Sequence, residues 1–444
     1  MKGFRLLLGI SPLVILGLGT NIGNRLENLR KAYQLLRKIP DISIKRVSSI
    51  YQSPALLPTG APASWDVPYF NMCVAIETTL SPSELLTQTK DIEKKVGRKP
   101  ELEWGPRVMD IDILAWEHLI INDGKLHIPH EHLHERAFAL FPLAEIAPFW
   151  TYPLPGIFCG KKAIEIADSF GPRELSLTKP IPHRIDFPEL VGIVNVTPDS
   201  FSDGGNNVLC MQLVEDGAEI IDIGAESTGP LATPISETEE WNRLHPILQQ
   251  FLAEKSSSLI TPRISIDTYH PNIAKKALAL GVDWINDVTG LDNIHMREVL
   301  AEHSSDVVFM HHMGVPVSRS DLIPLHEDPV AHVFEWAEKR IDLLQSSGID
   351  RSRLIFDVGI GYGKTAEQSF ELIQNISVFR KLNVRLLVGH SRKSFLKKFT
   401  TKPAKDRDLE TVIVSLYLAN THVDYLRLHN IADHLRAFKI KAAF

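Results

Sequence analysis

Two groups of residues have the types and spacing that chemistry requires. In the run Trp104-Gly105-Pro106-Arg107-Val108-Met109-Asp110-Ile111-Asp112-Ile113-Leu114, Asp110 and Asp112 stand two apart. On a strand they share a face, with Met109, Ile111 and Ile113 on the other. Paired aspartates of this kind can hold Mg²⁺ over a triphosphate, and Arg107 beside them suits phosphoryl-group transfer without a Walker loop. The second group is scattered over the carboxyl half: Asn195, Asp267, Asn286 with Asp287, Asp357, Ser391-Arg392-Lys393, and Arg427 with His429. The amide and carboxylates offer paired donors and acceptors for a flat, amide-rich heterocycle, and Lys393, Arg427 and His429 offer positive charge for phosphate.

Both groups need elements that bring them together. In the first half the pattern predicts strand Leu13–Leu18, helix Arg25–Leu36, strand Ile42–Tyr51, strand Tyr69–Thr78, a proline-started helix from Ser81 to Val96 and strand Met109–Ala115, a mixed α/β arrangement. In the second half, β-branched runs recur at 191–196, 219–223, 263–267, 283–287, 306–310, 353–358, 385–388 and 424–428. Eight βα units in about 256 residues predict a (β/α)₈ TIM barrel. Such barrels place their chemistry at the carboxyl ends of the strands, where the second group lies. Proline is dense from 150 to 188, so we expect domains at 11–158 and 188–444 joined by a linker over 159–187.

Composition narrows the function classes. The chain has 444 residues, 44% hydrophobic and 23% charged, with net charge −6, which excludes general attraction to nucleic acid or anionic lipid. Three dispersed cysteines give neither a disulfide framework nor a zinc finger, so a reducing cytoplasmic setting is expected. The apolar run Leu6–Leu18 is broken at Ser11-Pro12 and falls short of the ~18 residues that span a bilayer. It continues into Gly17-Leu18-Gly19-Thr20-Asn21-Ile22-Gly23, which reads as a strand-to-helix turn; a dinucleotide fingerprint would need glycine where Ile22 stands. A Walker loop at Gly359–Thr365 would need glycine at Val358, and His311-His312 lack a carboxylate at ligand spacing. His130, His132 and His134 alternate like zinc ligands on a strand.

The Gly17–Gly23 turn, Tyr69-Phe70-Asn71, Glu93 to Arg98, Trp104 to Asp112, and Ile128-Pro129-His130 through Arg136-Ala137-Phe138 resemble hydroxymethyldihydropterin pyrophosphokinase over about residues 12–155. The resemblance implies a ferredoxin-like α+β domain with Asp110 and Asp112 on two Mg²⁺ ions. It also implies a pterin between Tyr69 and Phe138 with Asn71 on its edge, and ATP held by His130 and Arg136, with Glu93, Arg98, Trp104 and Arg107 completing the site. Only His130 of the three alternating histidines belongs to this motif, so zinc is not expected. The loop 98–103 is less basic than the family tends to be, which weakens its role as a phosphate clamp.

The run Asn195 to Gly205, Asp267-Thr268, Asn286-Asp287, Asp357 to Lys364, Ser391-Arg392-Lys393-Ser394 and Arg427-Leu428-His429 resemble dihydropteroate synthase over roughly 188–444. By that resemblance Asn195 holds the magnesium of a pyrophosphate, and Asp267, Asn286, Asp357 and Lys393 bind the pterin. Arg427 and His429 take the pyrophosphate, and Ser391 and Thr228 face p-aminobenzoate. Asp267 and Lys393 count as catalytic here, as Asp110, Asp112 and Arg107 do in the first half. The family's Ser-Thr-Arg-Pro reads Ser227-Thr228-Gly229-Pro230, so one cation near the substrates is missing.

The product of the first reaction is the substrate of the second, which makes a bifunctional folate-pathway enzyme the expected reading. ATP would pyrophosphorylate 6-hydroxymethyl-7,8-dihydropterin, releasing AMP, and the barrel would condense the product with p-aminobenzoate. A homodimer through the barrel follows by analogy. Two alternatives are a pterin-binding methyltransferase barrel and an amino-terminal domain that serves only as a scaffold.

Overall fold

The computed structural model describes residues 12–99, 105–196, 205–226, 235–254, 261–316 and 320–443, without the side chains of 205–207. The chain divides into two compact units, the first ending at Asp186 and the second beginning at Phe187.

In the first unit, β1 (Leu13–Thr20), α1 (Arg25–Arg37), β2 (Ile42–Val47), β3 (Tyr51–Ser53), β4 (Tyr69–Thr78), α2 (Pro82–Val96) and β5 (Asp110–Trp116) follow one another. The predicted strand 42–51 is two short strands, both antiparallel to β4. β1 lies between β4 and β5, antiparallel to each. A β-α-β-β-α-β order whose last strand pairs with the first is the ferredoxin-like arrangement. Helix starts are set by side chains: Asn24 accepts the Glu27 amide, and Ser81 and Glu84 form a reciprocal capping box with Pro82 at the first turn. A two-residue hairpin of β6 (Ile121–Asn122) and β7 (His127–Ile128) leads to α3 (Ala137–Ile146).

The segment expected as a linker folds onto this unit. It forms α4 (Ala163–Ala167), α5 (Pro172–Leu177) and β8 (Lys179–Pro180). Ala163 and Ile166 are fully buried beside Leu140, Leu143 and Tyr152, and β8 pairs with β3 at the sheet edge. Proline there starts a helix at Pro172 and occupies an edge strand at Pro180, two positions where the missing amide costs little.

In the second unit, β9 (Glu189–Asn195), β10 (Ile220–Gly224), β11 (Arg263–Asp267), β12 (Trp284–Asp287), β13 (Asp306–Met310), β14 (Leu354–Asp357), β15 (Arg385–Val388) and β16 (Tyr425–Leu428) close a parallel barrel, β16 pairing back to β9. Helices follow the strands, among them α6 (Gly205–Glu215), α7 (Glu237–Glu254) and α8 (Pro271–Ala279). Val191, Ile220, Trp284, Val308, Ile355, Leu387 and Tyr425 form an apolar cluster of their own, separate from the larger core shared with the helices. This is a filled barrel interior. Two residues further along four of these strands come Asp222, Asn286, Asp357 and Arg427. The strand period of two turns them to the same interior, so an apolar floor carries a polar layer at the carboxyl end.

Trp284→Ala should therefore lower barrel stability by about 3–5 kcal/mol, read as an earlier chemical unfolding midpoint by circular dichroism. Leu325→Ala, at a side chain that is 80% exposed, should move it by less than about 0.5 kcal/mol.

Candidate active sites

In the first unit a cleft of about 380 Å³ opens over β1. Asp110 and Asp112 both line it, as the spacing predicted, with Tyr69, Asn71, Phe138, Arg98, Arg107, His130 and Arg136. Met109, Ile111 and Ile113 are buried on the opposite face of β5. The glycines of β1 make room rather than bind a dinucleotide. A Cβ on Gly17 would meet Leu114 at 2.8 Å, and one on Gly19 would meet the Asn71 amide oxygen at 3.0 Å.

Charge is balanced closely here. Arg98 donates to Asp110 and to the buried Glu93, each at 2.6 Å, and Arg107 donates to the second Asp110 oxygen at 2.5 Å. Burial raises the Asp110 carboxyl, but Arg107, Arg98 and Lys90 outweigh it and hold it below the usual range. Asp112 has no such cover: burial, reinforced by Asp110, pushes it up to about 6. Burial beside Arg136 and His132 lowers His130 to about 4, so it enters as a neutral ring. Glu93 also accepts the Ile111 amide at 2.8 Å, which fixes helix α2 to the strand bearing both aspartates.

Two residues of this cleft escaped the sequence reading. Lys90 pairs with Glu93 at 2.6 Å and stands 3.8 Å from Asp110; its only signal was the three-residue spacing to Glu93. Ser53 accepts from the Asn71 amide at 2.9 Å and so sets which way that amide faces. Trp104 lies outside the described residues. His132 and His134 are not on a strand: His132 caps a short 3₁₀ turn, Leu133–Glu135, and His134 lies within it and bonds the Tyr152 hydroxyl at 3.0 Å.

The barrel's polar layer is built around Arg427. Its Nε donates to Asp222 at 2.5 Å and its Nη2 to Asp267 at 2.7 Å, while Asn286 donates to Asp222 at 3.1 Å. Asp222 is 1% exposed and was not foreseen. Burial, opposed by Arg427 and aided by Asp222, leaves the Asp267 carboxyl at about 7, and burial also raises Asp357 against the pull of Lys393. Lys393 is lowered by burial to about 8; its ammonium donates to the Ile360 carbonyl at 2.7 Å and lies 4.3 Å from the centre of the Tyr362 ring. Ser391 and His429 are bonded to each other at 2.9 Å, and burial beside Arg392 and Arg427 lowers His429 to about 4. Asn195 is exposed at the end of β9; Thr228 and Gly229 lie outside the described residues. The glycine-rich decoy is accounted for: Lys364 is buried and donates to His311 at 2.8 Å and the Tyr362 carbonyl at 2.9 Å.

Two sites thus stand on two folds, and comparison with known proteins decides between the readings. Residues 15–148 match the family model of 7,8-dihydro-6-hydroxymethylpterin-pyrophosphokinase, and residues 191–429 match that of pterin binding enzymes. The folate synthesis bifunctional protein of Chlamydia trachomatis is 35% identical over 443 residues, 97% of each chain. The chain belongs to the bifunctional folate-synthesis family. A mitochondrial bifunctional protein of Arabidopsis thaliana is 33% identical over 96% of this chain and 82% of its own. Among solved structures, dihydropteroate synthase of Anaplasma phagocytophilum with bound 6-hydroxymethylpterin-monophosphate is 36% identical, covers 58% of this chain and 98% of its own, and gives a TM-score of 0.53. That of Xanthomonas albilineans with 4-aminobenzoic acid is 33% identical, with 58% and 93% coverage and a TM-score of 0.53. As a member of the bifunctional folate-synthesis family the chain is a transferase with pyrophosphokinase and dihydropteroate synthase activities; neither the methyltransferase nor the scaffold reading is favoured.

The triad of Asp222, Arg427 and Asp267 makes a test of the barrel site. Arg427→Met leaves two buried carboxylates without their cation and should cost about 3–5 kcal/mol. The loss should grow with pH. Asp267 already sits near 7, above its unfolded value, so its contribution is present in acid and fades as pH rises through 7; removing Arg427 raises it further. Unfolding midpoints at ~pH 5.5 and ~pH 8 should show the larger deficit at the higher pH.

Proposed function

We propose that the cleft over β1 binds Mg-ATP and 6-hydroxymethyl-7,8-dihydropterin, with Asp110 and Asp112 as the magnesium ligands. The donor set fits a hard divalent cation, since two carboxylates converge and one is raised to about 6 partly by the other's charge. Mg²⁺, when bound, neutralises phosphate oxygens and leaves the β-phosphorus open to attack. Arg98 and Arg107, which hold both Asp110 oxygens, would serve phosphate where those oxygens held the cation. Arg136 and neutral His130 add donors, Tyr69 and Phe138 hold the pterin faces, and Asn71, oriented by Ser53, reads its edge. Glu93 steadies Arg98, and Trp104 completes the ATP site. The hydroxymethyl oxygen attacks the β-phosphorus, the bond to the α-phosphate oxygen breaks, and AMP leaves.

In the barrel, Asp267, Asn286, Asp357 and Lys393 bind the pterin, Asn195 the magnesium of its pyrophosphate, and Ser391 and Thr228 p-aminobenzoate. The C–O bond to pyrophosphate breaks, buried carboxylates stabilise the charge on the methylene, and the aniline nitrogen attacks it and loses a proton. No enzyme nucleophile is needed. Arg427 acts mainly through its two aspartates, and His429, held neutral, serves pyrophosphate as a hydrogen-bond donor rather than as a charge.

The domains of this reading are 11–158 and 188–444, with 159–186 counted with the first unit and Phe187 with the second. A cytoplasmic setting and a homodimer through the barrel belong to the same reading; Cys73, Cys159 and Cys210 are free thiols, and no helix of the described residues is long and apolar enough to cross a membrane.

The observation that carries the reading is that Asp110 and Asp112 share one cleft with Tyr69, Asn71 and Phe138. Asp112→Asn should cut AMP formation on the order of a hundredfold or more, followed by mass spectrometry, and leave dihydropteroate formation from supplied pterin pyrophosphate unchanged. Undiminished AMP would refute the metal assignment.

A further inference from the structure

A second group of ligating side chains lies on the barrel and takes no part in either reaction described above. Glu226 follows β10 by two residues, Glu240 is in the first turn of α7, and His270 caps the amino end of α8. One ligand atom from each lies within 4.8 Å of the other two. The His270 Nε2 stands 3.4 Å from Glu226 Oε2 and 3.8 Å from Glu240 Oε2. Donors around one ion at bonds of ~2.1 Å are ~3.4 Å apart in tetrahedral geometry.

Three features mark this as more than an acidic surface. Glu240 is fully buried, yet neither of its carboxylate oxygens has a well-formed hydrogen bond, although the Thr268 hydroxyl stands near, and the facing Glu226 Oε2 and His270 Nε2 are also buried without one. Leaving such groups bare is costly, so native structures rarely do it. The outward atoms, by contrast, are held. Glu226 Oε1 accepts from the Tyr269 hydroxyl at 2.7 Å and the Ile235 amide at 3.3 Å. His270 Nδ1 faces Glu237 Oε1 at 3.5 Å, and the other Glu237 oxygen accepts from Asn272 at 2.9 Å. A carboxylate behind a histidine whose second nitrogen points at other ligands is how proteins orient metal-bound imidazole. Three carboxylates and one imidazole leave net negative charge even with His270 protonated, and no Lys or Arg pairs with Glu226 or Glu240 among the described residues. Burial also pushes the Glu240 carboxyl up to about 7, against the Thr268 hydroxyl and with Glu226, Asp267 and Glu237 adding, as expected where a cation is wanted.

We propose that Glu226, Glu240 and His270 form a binding site for a divalent transition metal of the zinc class, with at least one position left for water. Two carboxylate oxygens and one imidazole nitrogen favour zinc, cobalt or manganese over magnesium, which takes oxygen ligands in octahedral geometry. The ion would tie the chain after β10 to the starts of α7 and α8. It would also place positive charge three residues upstream, in sequence, of Gly229, where the family carries arginine.

The test uses the full chain stripped with a chelator, then titrated with Zn²⁺ alone or Co²⁺ alone, comparing the wild type with His270→Gln and Glu240→Gln. Metal held at Asp110 and Asp112 is common to all three and cancels. The wild type should bind about one more equivalent than either variant, show a visible cobalt absorption that both variants lack, and gain thermal stability on zinc addition that both lose. Two variants are used so that one folded variant suffices, and circular dichroism identifies it. Equal stoichiometry and equal cobalt spectra in the wild type and a folded variant would overturn the proposal and leave an ion pair of protonated His270 with its two glutamates.

Discussion

A carboxylate buried in a barrel needs a cation or a proton, and that constraint organises the second unit. Asp222 and Asp267 face one interior, and a single guanidinium answers both. Arg427 is suited to this because its planar fork presents separate donors in fixed directions, which a lysine ammonium does not. Once Arg427 is placed, Asn286 is held on Asp222, and Asp267 is left between charged and neutral forms near pH 7. A heterocycle bound as proposed above would meet side chains whose orientations are already decided. The apolar floor below excludes water and strengthens these interactions.

The first unit meets the same constraint differently. Its two aspartates lie on one strand, and the cations that cover Asp110 come from the end of α2 and from the approach to β5. Cover is unequal, so Asp110 is ionised readily while Asp112 is not. In the proposed reading that asymmetry favours a divalent cation and would give the arginines a second partner in phosphate. In the mechanism proposed above neither unit needs an enzyme nucleophile, and both position charged groups around a leaving phosphate.

Much of this was legible in the residues, for identifiable reasons. Strands Arg263–Asp267, Asp306–Met310 and Arg385–Val388 were found to the residue because β-branched runs end there in polar or glycine-bearing turns. That Asp267, Asn286, Asp357 and Arg427 gather at one end of the barrel was legible because they stand at the carboxyl ends of its strands. Asp222 was hidden inside Ile-Ile-Asp-Ile, and its partner Arg427 is 205 residues away, a separation no local pattern carries. Proline between 150 and 188 signalled a break in regular structure, yet helix starts and a sheet edge accept proline as readily as a linker does. The alternation of His130, His132 and His134 suggested a strand, but a 3₁₀ turn occupies that stretch. Glu226 and Glu240 come from one βα unit and His270 from the next, and they share no motif.

If Asp222 is what sets the barrel's pterin site, calorimetric pterin binding to the Asp222→Asn protein tests the account most directly, with AMP formation by the same sample as the internal control. The account predicts an affinity weakened about tenfold or more, because the carboxylate that Arg427 and Asn286 share becomes a neutral amide with a single acceptor oxygen, with AMP formation unchanged. A folded Asp222→Asn protein that binds pterin as tightly as the wild type would contradict it.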